Sequence, residues 1–238
     1  HDDIMDNDDT RHGQPAIHFK WDDSTAILAG DGINAIAQIL LSGLPYRSNA
    51  ICRSFNQATL EVCEGQAYDK EFENDLSITE NQYLEMIEKK TGSLLGASAN
   101  LPAILIGADP EVISYFDQFG RALGNGFQIH DDLLEIYGNV DDMGKSLGSD
   151  IAEGKQTMMV IKARNKFKKE WENLISDPNS PELMSEIRNF FQDNGIKEET
   201  KAMAKSYFDS ARDILDKING IDKNELIDFV NLVENRTY

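Results

Sequence analysis

The sequence predicts an all-α fold. Three observations carry that expectation: apolar residues recur at the helical period over long stretches, the chain holds only 6 prolines, and no Pro-, Gly- or Ser-rich linker divides its 238 residues. A chain of this length can bury a sizeable core as one domain, and it shows no self-similarity at the roughly 20-to-50-residue period of a solenoid.

The elements come in this order. Residues 24–43 place apolar side chains on nearly all sides (Ala26, Ile27, Ala29, Ile33, Ile36, Ile39, Leu40), the pattern of a helix at the centre of a fold. Leu44-Pro45 ends it, because the residue before proline is pushed out of helical geometry. Residues 48–69 carry Ile51, Phe55, Ala58, Val62 and Gln66 on one stripe. Thr79 followed by Gln82 reads as a capping box that opens a long segment through Leu105, with a break at Thr91-Gly92. A glycine there weakens a helix, so function or close packing is expected to explain it. Asp109-Pro110 is a cap with proline at the first helical position, and the helix runs to about Tyr137 on a stripe of Phe116, Phe119, Leu123 and Phe127. The glycine-bearing stretch 138–154 is expected to be a loop able to fold over a ligand. Shorter amphipathic helices are expected at 154–176, 181–193, 197–218 and 222–235, separated by Pro178, Pro181, Asn194-Gly195 and Gly220.

Two acidic clusters of one design lie far apart on this scaffold: Asp2-Asp3-Ile4-Met5-Asp6 and Asp131-Asp132-Leu133-Leu134-Glu135. Helical positions four apart share a face, so Asp2 pairs with Asp6 and Asp131 with Glu135. If both helices line one cavity, their like charges repel unless a divalent cation neutralises them. Mg2+ fits, since it takes one or two carboxylates and fills its other octahedral positions with water and phosphate oxygens. The expected metal ligands are Asp2, Asp6, Asp131 and Glu135, and the expected substrate group is a diphosphate.

Composition narrows the alternatives. A net charge of −19 excludes a broad basic surface for nucleic acid or anionic lipid. Cys52 and Cys63 lie on one expected helix, about 16 Å apart, too far to bridge, and read as core residues of a reducing compartment. No run of 18 uncharged apolar residues and no signal peptide appear, so a cytoplasmic protein without a membrane span is expected. A start directly at an acidic cluster gives the expectation of a single domain over 1–238 that lacks its N-terminal helices.

Five spaced signatures then carry a resemblance. They are Asp2 to Gly13, Gly65-Gln66-Ala67-Tyr68-Asp69, Lys90-Thr91-Gly92, Phe127-Gln128-Ile129-His130-Asp131-Asp132-Leu133-Leu134-Glu135, and Gly144-Lys145-Ser146-Leu147-Gly148-Ser149-Asp150. In this order they resemble the trans-isoprenyl diphosphate synthase family, the farnesyl and geranylgeranyl diphosphate synthases. The resemblance implies a helical bundle around a central cavity, a homodimer, and a short-chain all-trans product of farnesyl or geranylgeranyl type. The implied reaction is Mg2+-dependent condensation of isopentenyl diphosphate with an allylic diphosphate. It assigns Arg11, His12, Lys90, Lys145 and Lys155 to substrate diphosphates, with Thr91 and Gln128 pointing oxygen dipoles at the carbocation. Two departures stand out: His12 replaces a second arginine, and imidazole is a weaker base than guanidinium, and Glu135 replaces a final aspartate. A non-catalytic subunit of a heteromeric synthase is the alternative, although such subunits usually lose an acidic cluster.

Overall fold

A computed structural model describes residues 1–138, 151, 154–177, 180 and 182–236. Among these, α-helices and a single π-turn make up the regular structure apart from one small hairpin, Thr10–Arg11 paired antiparallel with Gln14–Pro15. The all-α expectation is met. In chain order the helices are α1 (Asp2–Asp6), α2 (Ile17–Lys20), α3 (Asp23–Ser42), α4 (Ser48–Phe72), α5 (Glu80–Ile87), α6 (Ser93–Ile106), α7 (Pro110–Tyr137), α8 (Met158–Lys166), α9 (Lys168–Leu174), α10 (Leu183–Asp193), α11 (Ile196–Lys217) and α12 (Asn224–Glu234). The π-turn, Glu88–Gly92, joins α5 to α6.

Helix α7 is the axis of the bundle. It opens with proline at its first turn, as the sequence indicated, and buries Phe119, Leu123, Ile129, Leu133 and Ile136 along its length. On one side it packs against α11 through Ala204, Phe208, Ala211 and Leu215. On the other it meets α6, where a Cβ on Gly120 would lie 2.3 Å from the carbonyl oxygen of Leu95, and the π-turn, where a Cβ on Gly124 would lie 2.7 Å from the Cα of Gly92. Gly92, a puzzle in the sequence, is there for packing. A second apolar cluster at the far end of α7 gathers Leu133, Ile136, Met159, Trp171, Ile187 and Phe191.

The capping box at α5 forms as expected: the backbone N–H of Gln82 donates to Thr79 Oγ1 at 3.3 Å, and that of Thr79 donates to Gln82 Oε1 at 3.0 Å. Three expectations need correction. Cys52 is half-buried and Cys63 exposed, so neither is the core residue expected. The helix over 154–176 begins only at Met158 and breaks at Phe167, whose φ of −135° leaves helical geometry while its ring packs edge-on against Phe190 at 5.9 Å. Helix α3 is not central. Its single buried residue is Ala26, and Leu28, Ile33, Ile39 and Leu40 are 66–70% exposed. An all-round apolar pattern shows that a helix needs cover, but not that its own chain supplies it, and the central place belongs to α7. By length and composition α3 would also be able to cross a bilayer.

Candidate active site

Both acidic clusters face one cleft of about 230 Å³. Asp2 and Asp6 line it from α1, Asp131, Asp132 and Glu135 from the end of α7, and Lys90 and Lys155 reach it from the π-turn and the segment before α8. Its apolar wall is made by Phe72, Tyr83, Met86 and Ile87.

The first wall depends on its neighbours, because a five-residue helix has too few internal hydrogen bonds to persist alone. Lys70, at the end of α4, donates to Asp6 Oδ1 at 3.3 Å and to the carbonyl of Met5 at 3.0 Å. Lys155 reaches Asp6 Oδ2 at 3.5 Å, and Lys90 Nζ lies 3.7 Å from Asp2 Oδ1. Burial pushes the Asp6 carboxyl up, but Lys155, Lys90 and Lys70 together outweigh it and hold the group below its ordinary value. Asp6 is therefore a carboxylate at neutral pH.

The second wall is set by helical spacing at the end of α7. Asp132 is 5% exposed and accepts from the Tyr83 hydroxyl at 2.6 Å and from Gln128 Nε2 at 3.1 Å. Glu135 is 9% exposed one turn further on. Asp131 lies nearer the mouth, where Arg236 pairs with it.

Between the walls, the π-turn aims the lysine. A π-turn adds one residue to a helical turn and rotates the residues after it about the helix axis. It fits here because Gly65 of α4 has no side chain: a Cβ at that position would sit 2.3 Å from the Lys90 nitrogen. The Gly and the Asp of Gly65-Gln66-Ala67-Tyr68-Asp69 thus work together, one admitting the π-turn and the other accepting from Lys90 Nζ at 2.7 Å. Lys155 is placed from the other side. The carbonyl of Gly154 accepts from the Asn74 amide at 2.9 Å and from Gln156 Nε2 at 2.8 Å, and buried Arg164 donates to Gln156 Oε1 at 2.6 Å and bonds the carbonyl of Ile78.

Of the residues expected from the sequence, Asp2, Asp6, Lys90, Gln128, Asp131, Glu135 and Lys155 line the one cleft. Arg11, His12 and Thr91 are not among its lining. Arg11 turns back to donate to Asp3 at 2.7 Å, and His12 sits exposed at the hairpin turn with φ 51°. Thr91 donates to Gln128 Oε1 at 2.9 Å, so the two oxygens face each other, and an expected pair of dipoles aimed at a cation is in fact a hydrogen bond. Lys145 lies outside the described residues. Sequence reasoning missed Asp69, Lys70, Tyr83 and Asp132. Asp69 and Asp132 stood inside recognised motifs and were open to assignment, whereas nothing local marks Lys70 or Tyr83.

The donors suit a hard divalent cation. Carboxylate oxygens dominate the cleft, and lysines already neutralise them where metal would otherwise be required. Among the described residues no three His, Cys, Asp or Glu side chains cluster closely enough to cage an ion by themselves. Mg2+ does not need such a cage, because substrate phosphate oxygens and water complete its shell.

Comparison with known proteins gives a consistent picture. A model of the polyprenyl synthetase family matches residues 1–192. The chain is 38% identical over 232 residues to a short chain isoprenyl diphosphate synthase of Methanothermobacter thermautotrophicus, covering 95% of this chain and 71% of that protein. It is 37% identical over 242 residues to a geranylgeranyl diphosphate synthase of Methanosarcina mazei, covering 100% and 74%. Its fold matches the crystal structure of a polyprenyl synthase from Caulobacter crescentus, complexed with calcium and isoprenyl diphosphate, with a TM-score of 0.87, 26% identity and coverage of 100% and 74%.

Proposed function

The chain belongs to the polyprenyl synthetase family and is a prenyl diphosphate synthase, a trans-prenyltransferase; from that premise we propose that it condenses isopentenyl diphosphate with an allylic diphosphate in a Mg2+-dependent reaction. The product we assign is a short all-trans prenyl diphosphate of farnesyl or geranylgeranyl length. One observation carries the reading: two acidic clusters far apart in sequence share a cleft with Lys90 and Lys155.

The difficult step is cleavage of the allylic carbon–oxygen bond while charge accumulates on the departing diphosphate. Bound Mg2+ would supply Lewis-acid stabilisation of that charge, held by Asp2 and Asp6 on one side and by Asp131 with Glu135 on the other. Lys90 and Lys155 donate charge-assisted hydrogen bonds to the same phosphate oxygens, each strengthening as the leaving group becomes more negative. Asp69 orients Lys90, and Tyr83 with Gln128 orients Asp132, so these groups require little rearrangement as charge develops. Phe72, Met86 and Ile87 keep water from the allylic cation. The alkene of isopentenyl diphosphate then attacks that cation, forming the new carbon–carbon bond, and the released diphosphate accepts the proton lost from the adduct.

Two features outside the cleft complete the proposal. The exposed apolar face of α3 is covered by a second copy of the chain, giving a homodimer. The free thiols of Cys52 and Cys63 suit a cytoplasmic setting.

The test is incubation of the protein with labelled isopentenyl diphosphate, Mg2+ and allylic primers of increasing length. Wild type yields elongated product, and Asp2→Ala and Asp131→Ala lose it. Undiminished product from both variants would refute the assignment.

A further inference from the structure

Arg236, just past α12, lies against the second acidic cluster. Three residues on one face of α7, Phe127, His130 and Asp131, each engage Arg236 by a different chemistry. The guanidinium stacks over the Phe127 ring with its centre 4.4 Å from the centroid. The Arg236 carbonyl accepts from His130 Nε2 at 2.9 Å, and Nη2 pairs with Asp131 Oδ1. The approach is fixed from behind as well, since Arg212 of α11 holds the end of α12 by donating to Asn231 at 2.7 Å and by pairing with Glu234. Arg236 Nε is buried without an acceptor among the described residues. This is a pose whose hydrogen-bonding capacity is only partly used, and such burial costs stability.

We propose that Arg236 is a built-in competitor of the divalent metal: its guanidinium neutralises Asp131 in the unliganded protein, and metal entering the second cluster displaces it and frees the C-terminal end of α12. The inference rests on Asp131 being a metal ligand, as the proposed function has it. Asp131 is the most exposed acid of that wall, with a side chain 46% accessible, whereas Asp132 is already bonded to Tyr83 and Gln128. It is therefore the carboxylate at which an incoming ion and a displaceable cation compete directly. A guanidinium over an aromatic ring and against a part-exposed carboxylate is held firmly enough to lower metal affinity, yet weakly enough to yield.

The experiment uses the full chain and Mn2+ alone, monitored by the electron paramagnetic resonance of the free ion, with hydrogen exchange of residues 230–236 in parallel. Arg236→Ala is expected to tighten Mn2+ binding about two- to tenfold, and Arg236→Lys, which keeps the charge but loses the planar stack, to fall between. In wild type, Mn2+ is expected to accelerate amide exchange at Asn235 and Arg236. Equal Mn2+ affinity in wild type and Arg236→Ala, or exchange unaltered by Mn2+, would overturn the competition. Asp131→Asn separates the two readings: if it leaves Mn2+ binding unchanged the metal assignment itself fails, and if it weakens binding while Arg236→Ala has no effect only the competition fails.

Discussion

Substitution of Gly65 by alanine tests how the cleft is assembled, because it alters no group that would touch substrate. The added methyl would lie 2.3 Å from the Lys90 nitrogen, 2.7 Å from its Cα and 2.8 Å from the Lys89 carbonyl carbon, all backbone atoms that no rotamer change can move aside. Restoring ordinary contact requires the π-turn to retreat from α4 by about 1 Å, and displacement of a positioned group on that scale costs roughly 100-fold in rate. Stability changes less. Alanine in a helix gains about 1 kcal/mol over glycine, while overpacking costs about 1–3 kcal/mol, leaving a net loss of about 1 kcal/mol. Turnover with isopentenyl diphosphate and a saturating allylic primer, beside the urea midpoint, separates the two effects. A variant with wild-type turnover would show that the approach of α4 to the π-turn does not position Lys90, and the reasoning would fail.

Other expectations come from the same contacts. Tyr83→Phe keeps the buried ring but removes the hydroxyl donor to Asp132, and a hydrogen bond to a charged group contributes about 1.5–3 kcal/mol; the urea midpoint should fall accordingly, and an unchanged midpoint would deny that contact its role. Leu40→Glu combined with Ile36→Glu places charge on the exposed face of α3, where the two side chains are 67% and 58% accessible; light scattering is expected to find a dimer for wild type and a folded monomer for the variant, and a monomeric wild type would remove the α3 interface. Glu61 gives a pH dependence. Burial pushes its carboxyl up, but donation from Arg121 at 2.7 Å and from Gln57 at 3.2 Å outweighs this and holds it below its ordinary 4.5. A depressed carboxyl stabilises the fold fully above its unfolded-state value and loses that contribution as pH falls through the folded one. The stability difference between wild type and Glu61→Gln should therefore be complete at neutral pH and shrink below about pH 4.5; a constant difference across that range would contradict it.

How much of this was legible in the sequence depended on the range of the forces involved. The cap at Thr79, the proline start of α7 and the stripe of Phe119 and Leu123 are local signals, and each led to the right element. Helical spacing fixed which carboxylates share a face, Asp2 with Asp6 and Asp131 with Glu135; that the two helices line one cleft was only a condition of that reading, and tertiary packing supplies it. What failed was long-range. Nothing near Ile33 or Leu40 states whether cover comes from the same chain, so α3 was misplaced at the centre. Nothing near Thr91 reveals that its hydroxyl meets Gln128, and Lys70 carries no mark of the short acidic helix it holds. Arg236 is the clearest case. Its neighbour Asp131 lies more than a hundred residues away, and only the packing of α12 beside α7 brings them together.

One claim is central: carboxylates far apart in the chain hold metal and diphosphate between them. Anomalous diffraction from crystals grown with Mn2+ and inorganic diphosphate tests it most directly. Peaks bounded by Asp2 and Asp6 on one side and Asp131 on the other, with diphosphate density beside Lys90 and Lys155, are the predicted result. Metal and diphosphate bound elsewhere on the surface, with Lys90 still paired to Asp69 and Arg236 to Asp131, would contradict it.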